Sequence, residues 1–440
     1  MERKQMKFSK CFGLPLCLLF VLLLCSSAIH VLAMDLPEVI DKTNCGQYKN
    51  LLFPAMYNAV ERGDYVITPG NLNFMFKHNE DFLSASAKNE GKFDISSEGF
   101  LIDKATGKYP INLYGFPFPN IDLKDLKAGA KIIQNFNYQR YRLMGSRGQI
   151  RVMWFDKSGE ERYVGGLDQR LYVNGRPPAH QIENPDNVKT YDMQRVLEPM
   201  SVSGTNTMAI VYLGEKEDSN YSYVPIIRRI RKASSTSRSD PYMGSDSWWD
   251  ANHMWSGKDS SMTWKYVGER TILVSFTSPD IVPAQEMPNG SMARTFPYTG
   301  RHFKYGYEDT KWKGASWSPL NITYVPRKVW IVEQMPKDPY YNWGLHINYI
   351  DQENFIIWYK EVSDPAGKFT TWATFFTHYS ECPSGINNIG DRDASLYINE
   401  REHHATSTNL SADPESFVFM PASELGRKYF TISNFLQLSK

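Results

Sequence analysis

Asp246 and Asp250 stand four residues apart, on either side of Trp248 and Trp249, in the segment SDPYMGSDSWWD (239–250). On a helix that spacing puts two carboxylates on one face, and paired carboxylates serve general acid–base chemistry. Beside tryptophan platforms, such a pair would suit a glycan substrate. The plainer role for Asp246 is to cap a short helix beginning near Trp248. Just upstream, Arg228, Arg229, Arg231 and Lys232 make a basic run. On one extended strand Arg229 and Arg231 share a face, with Arg228 and Lys232 on the other. Such a run either keeps a sheet edge solvated and unpaired or forms a cationic rim that attracts phosphate head groups or an acidic partner. Ser234 to Ser239 then reads as a hinge. Tyr242, Met243, Trp248 and Trp249 are candidates for the wall or lid of an apolar cavity, or for ordinary core.

Other chemistry is poorly represented. The sequence holds no G-x-S-x-G nucleophile elbow, no G-x-G-x-x-G, no phosphate-binding P-loop, no H-E-x-x-H and no C-x-x-C. No cofactor is expected. His403 and His404 are adjacent, so on a strand they point to opposite faces and do not readily share a metal. His346 and His378 fall in separate strand-like segments.

The elements that must position these residues begin after a targeting segment. Residues 1–33 combine a basic start (Arg3, Lys4, Lys7, Lys10), an apolar run from Cys11 to Ala28, and a small-residue cleavage signal at Val31 and Ala33. That is the layout of a cleaved secretory signal peptide. An uncleaved anchor is the competitor, weakened by Pro15 and the Ser26-Ser27 pair. The full chain has 49 basic and 48 acidic residues; removing four basic residues and Glu2 leaves 45 against 47. A near-neutral secreted chain is a poor nucleic-acid binder. Two cysteines remain, Cys45 and Cys382, a candidate disulfide in an oxidising compartment.

Residues 34–440 read as one domain, with an N-terminal elaboration over about 34–148. Gln47 to Arg62 is partly helical, and Tyr65 to Tyr114 is more β-like. After the stiff segment GFPFP (115–119), Asp122 is placed to cap a helix whose stripe is Leu123, Leu126, Ala130, Ile133 and Phe136. From Gln149 strands dominate: 149–155 with a turn at 156–159, then 190–202, 207–213, 221–232, 263–274, 324–334, 345–350, 355–362 and 369–379. Consecutive strands with short turns predict a large antiparallel sheet in a mainly β (α+β) protein.

The order of these segments resembles a known family. GFPFP (115–119), EPMSVSGTNTMAIVYLG (198–214), YSYVPIIRRIRK (221–232), SDPYMGSDSWWD (239–250), WKYVGER (264–270), YVPRKVWIVEQMPK (324–337), YIDQENF (349–355) and DPAGKFTTW (364–372) occur in series. The chain resembles the bacterial domain of unknown function 1329, described as outer-membrane lipoprotein-sorting-like, and at superfamily level the carriers LolA and LolB. The resemblance implies a strongly curved antiparallel sheet, an incomplete β-barrel, with helices plugging it. It makes 123–136 a plug helix, 224–232 a sheet strand and 240–250 a flap. It further implies a periplasmic, non-enzymatic carrier of a lipid or other hydrophobic ligand in a Gram-negative bacterium. The partners it implies are an inner-membrane exporter of the resistance-nodulation-division type and an outer-membrane β-barrel protein. Two alternatives stand beside it: a glycan-acting enzyme using Asp246 and Asp250, and an envelope docking module without cargo.

Overall fold

Six strands follow one another as an antiparallel meander: β1 Gly145–Asp156, β2 Gly159–Tyr172, β3 Val188–Glu198, β4 Asn206–Tyr212, β5 Ser219–Val224 and β6 Arg229–Ala233. Seven more form a second: β7 Met262–Phe276, β8 Thr323–Pro336, β9 His346–Asp351, β10 Ile357–Ser363, β11 Phe369–Phe376, β12 Ala394–Asn399 and β13 His404–Leu410. The last strand pairs back onto the first, Ala405 opposite Phe155 and Leu410 opposite Ile150. Among the described residues β6 and β7 do not pair with each other. The result is one large curved antiparallel sheet that does not close into a barrel. Its cut falls in mid-chain, and the segment linking β6 to β7 spans it. This computed structural model describes residues 36–439 apart from 142, 234, 289–291, 295–303, 382–386, 390–391, 411–417 and 420–424. The proposed signal peptide (1–33) and Cys382 lie outside the described residues; Cys45 is a buried thiol. Glu38–Lys440 form one compact unit.

Curvature has local causes. The ladders shift register at Trp154/Phe155, Gly165/Gly166, Ile331/Val332, Tyr349/Ile350 and Val362/Ser363, and such bulges bend a strand and increase its twist. One face of β10 carries Tyr359 and Glu361. These meet Phe53, whose ring stacks on Tyr359 at 4.2 Å, and the backbone N–H of Ala55, which donates to Glu361. Phe53 and Ala55 belong to the N-terminal end of helix α1, Pro54–Arg62. The other face of β10 carries Lys360 and looks into the sheet's interior. Across β3 to β6, a separate apolar cluster of Tyr191, Met193, Met208 and Tyr223 is covered by Phe430 and Phe435 from the C-terminal segment.

The predicted plug helix exists but starts later. Helix α3 is Ala128–Tyr141. Asp122 accepts the N–H of Lys124 and Asp125 that of Lys127, so each closes a turn before the helix begins. Leu126, expected on the buried stripe, is 95% exposed. From Ile132 to Tyr141 every residue is buried, including Gln134, Asn135, Asn137, Gln139 and Arg140. A one-sided stripe therefore misdescribes this helix, which meets protein all round. Most of its polar groups are paired: Asn135 exchanges hydrogen bonds with the Phe118 backbone, and Gln134 and Asn137 both donate to Asp259. Gly129 permits the approach to β7, because a Cβ there would lie 2.8 Å from the Trp264 backbone.

Three further expectations are corrected. Residues 221–232 are not one strand but a hairpin, β5 and β6, turning at Pro225–Arg228 with Arg228 at φ 54°. Proline supplies no ladder donor and favours the turn. The stretch 65–114 contains only two three-residue strands, Phe93–Ile95 and Leu101–Asp103, and a helix, α2 Glu80–Asn89. Finally β2, β12 and β13 were not anticipated. β2 (GEERYVGGLDQRLY) is interrupted by charged residues and glycines, β12 (ASLYIN) is only six residues long, and β13 (HATSTNL) is mostly Thr, Ser and Asn, so none shows a sustained apolar alternation.

Candidate functional site

Residues 235–261 run from the β6 side of the cut to β7 as a chain of short 3₁₀ turns: Ser235–Ser239, Tyr242–Gly244, Trp249–Met254 and Asp259–Ser261. Met243, His253 and Met254 have φ of 51°, 51° and 71°. Non-glycine residues in this region cost of order 1–3 kcal/mol each and persist where surroundings fix them. Those surroundings are side chains of the sheet.

Arg238 is the central anchor. Its Nε donates to Asp250 at 2.8 Å and its Nη1 to Asp218 at 2.7 Å. Burial pulls the Arg238 pKa down, but the two carboxylates raise it further, so it stays charged. Burial raises the Asp250 carboxyl, opposed by Arg238, and Tyr341 also donates to Asp250 at 3.3 Å. Tyr397 Oη donates to the Ala251 carbonyl. Arg392 donates to Asn252 at 2.9 Å.

Asp246 does not cap a helix. No side-chain cap is present at the start of Trp249–Met254. Asp246 instead accepts from His404 Nδ1 at 2.6 Å and from Thr406 Oγ1 at 2.7 Å, tying the flap to β13. That bond is the main reason the His404 pKa is raised. The two adjacent histidines differ in place: His404 is a latch residue, and His403 sits exposed in the preceding turn. Nor do Asp246 and Asp250 share a helix face, since no helix runs across both and their partners differ.

Below the flap lies a cleft. It is lined by Ile150, Val152 and Val211 on the apolar side, and by Asp192, Asp218, Arg238 and Arg392 on the polar side. Its volume is about 90 Å³, room for several waters but well under the ~300 Å³ at which small-molecule sites begin. Trp248 and Trp249 take different roles. Trp248 is 1% exposed and packs against Trp343 at 5.0 Å, His346 at 5.5 Å and Tyr397 at 5.8 Å. It is core. Trp249 is half-buried and meets Tyr242 edge-on at 4.9 Å; both line the cleft. Burial pushes the Tyr242 hydroxyl up to about 12. Met243 packs on Ile150, Val152 and Trp154.

Arg229 and Arg231 stand on the face of β6 that continues the cleft wall. Arg231 is opposite Ser222 and Arg229 opposite Val224, while cleft-lining Asn220 and Thr207 occupy the same face of β5 and β4. Lys232 points to the other face, and Arg228 belongs to the turn.

Sequence reasoning missed a second layer beneath the flap. Lys360 is fully buried; its Nζ donates to the Met254 carbonyl at 2.5 Å and to Gln334 Oε1 at 3.3 Å, and lies 5.9 Å from the Trp248 ring. Burial holds its pKa down at about 7. His346, also fully buried, has no partner for either ring nitrogen among the described residues. Burial, with Lys360 nearby, keeps it neutral. The signal was present in FIIWYKEV (355–362), where a lysine alternates with apolar residues. Arg238 was hidden inside the supposed hinge.

Residues 39–435 match the family described as protein of unknown function (DUF1329). No curated protein matches the chain. Three of the similar solved structures illustrate the likeness. A domain from Vibrio parahaemolyticus described as outer membrane lipoprotein-sorting has 14% identity and a TM-score of 0.46, covering 72% of this chain and 100% of that one. A DUF1329 family protein from Desulfovibrio piger has 12% identity and a TM-score of 0.47, covering 70% and 98%. A LolA superfamily protein from Nitrosomonas europaea has 10% identity and a TM-score of 0.40, covering 69% and 98%.

Proposed function

Because the chain belongs to the DUF1329 family, whose own description assigns no function, the reading rests on the cleft, and we propose that this protein is a non-enzymatic carrier of a lipid-like amphiphile. The observation behind this is the cleft's two-sided lining beneath a flap held by side chains. Ile150, Val152, Val211 and Trp249 offer apolar surface, and Asp192, Asp218, Arg238 and Arg392 make the opposite side polar. Each methylene moved there from water gains about 0.8 kcal/mol. A cleft of about 90 Å³ admits no such chain while closed, so loading requires the flap to lift. The carrier works in the periplasm, and its partners are a resistance-nodulation-division type exporter and an outer-membrane β-barrel protein. No helix of the described residues is long and apolar enough to cross a membrane.

The enzyme alternative is weaker because its two carboxylates are already engaged, Asp250 by Arg238 and Asp246 by His404 and Thr406. Native mass spectrometry of protein from its own envelope, followed by lipid extraction, tests the proposal. A bound amphiphile is expected, and Trp249→Ala should weaken its binding far more than it lowers Tm. If nothing co-purifies and no added amphiphile binds, the carrier function is wrong.

A further inference from the structure

Two hairpin tips project at the same end of the sheet. The β3–β4 turn spans residues 199–205 and the β5–β6 turn residues 225–228. They touch: a Cβ on Gly204 would lie 3.2 Å from the Pro225 ring. Met200 is 88% and Ile226 90% exposed, and Leu197, Val202 and Ile227 are also uncovered. A soluble protein rarely gathers such residues on adjoining turn tips without a use for them.

Charge identifies the use. Arg228, Arg229, Arg231 and Lys232 are all exposed beside these tips. None makes an ion pair with a described residue. Across 197–205 and 225–232 the four cations face a single carboxylate, Glu198. The order in depth is equally informative. Ile226 stands at the turn, and Arg229 and Arg231 lie one and three residues beyond the last turn residue, Arg228, roughly 3–10 Å back along an extended chain that rises about 3.3 Å per residue. An interfacial apolar group sinks about 5–10 Å into a bilayer, with cations left at the phosphates.

We propose that these two tips are a docking surface for an anionic lipid bilayer. A convex tip with a basic collar fits a head-group layer, whereas a protein partner would more often be met by a groove. Arg229 and Arg231 share the sheet face that lines the cleft, so docking would bring the cut edge of the sheet, and the mouth of the cleft, toward the lipid.

Flotation of the mature protein with vesicles tests this. The vesicles are phosphatidylcholine alone, or phosphatidylcholine mixed in equal parts with phosphatidylglycerol. Binding to the anionic vesicles only, reduced by high salt, is expected. Each cation near an anionic surface contributes a factor of about five, so Arg229→Gln with Arg231→Gln should weaken binding about 25-fold. Met200→Ser with Ile226→Ser should also weaken it, by tenfold or more. These positions are exposed, and an unchanged Tm would show that the fold is intact. Failure of the wild type to float, or flotation of both variants as strong as the wild type's, overturns the proposal, as does capture of a protein through these tips without vesicle binding. Amphiphile binding in the absence of vesicles is read separately, so either proposal can fail alone.

Discussion

Replacing Lys360 with methionine asks whether the flap seals the interior. Lys360 is fully buried beneath Met254, between the rings of Trp248 and Trp255, 5.9 and 5.6 Å away. Burial depresses its pKa to about 7, with Asp250 opposing; unfolded, it returns to ~10.4. Between those values the unfolded chain holds the extra proton, so stability rises with pH. The contribution is absent below about pH 7, grows by about 1.4 kcal/mol per unit, and is complete above the unfolded value, at ~4–5 kcal/mol as an upper bound. Methionine matches the side chain in length and does not titrate. Urea unfolding of both proteins at a series of pH values measures the difference. Wild type should gain on Lys360→Met by about 1.4 kcal/mol per unit across roughly pH 7.5 to 9.5. A flat difference would refute the reasoning, because it would mean that Lys360 keeps an ordinary pKa and that water reaches it under the flap.

Two other predictions concern the flap's anchors. Arg238→Met strands Asp218 and Asp250 in the interior and should cost about 3–5 kcal/mol. Adding Asp218→Asn and Asp250→Asn should recover much of that loss in thermal melts, and a lack of recovery would show that packing, not charge, is what Arg238 supplies. Asp246→Asn should return the His404 pKa toward its ordinary value, read by NMR titration. The raised value means that the His404–Asp246 bond contributes most below the unfolded histidine pKa of ~6.5 and fades as pH climbs through the folded value. An unmoved His404 would mean that Glu161, 3.3 Å from Nε2, is the group that matters.

Much of the sheet was legible because its strands are bounded by strong turns. Asp156 to Gly159 and Asp364 to Gly367 both close hairpins in the structure. The strands that escaped notice, β12 and β13, place Ser395, Thr406, Ser407 and Asn409 in the interior. Their burial is satisfied by hydrogen bonds such as Ser407 to Asn409, a tertiary fact that periodicity does not reveal. The site was legible in outline only. The flap's position followed from its bulky residues, but its anchors Asp218, Lys360 and Arg392 come from three distant stretches of chain. Nothing local distinguishes Asp218 from the exposed Glu215 and Glu217 beside it. Trp248 and Trp249 are adjacent and of one type, and both line the cleft, yet Trp248 is buried in the core and Trp249 is only half-buried.

The cut between β6 and β7 and the ladder between β13 and β1 face each other across the strand order, six strands apart one way and seven the other. One is held by main-chain hydrogen bonds, the other by a loop and a few side chains. The sheet is in this sense a book, with its spine at β13–β1 and a clasp at 235–261. Undoing the clasp breaks Asp246–His404, Arg238–Asp218 and the bonds donated by Lys360 and Tyr397, but no ladder. Among the described residues no strand pairing spans the cut, so the two meanders are fastened there by that loop and by helix α3, whose Gly129 packs on the Trp264 backbone of β7 and whose Tyr138 accepts from Asn174.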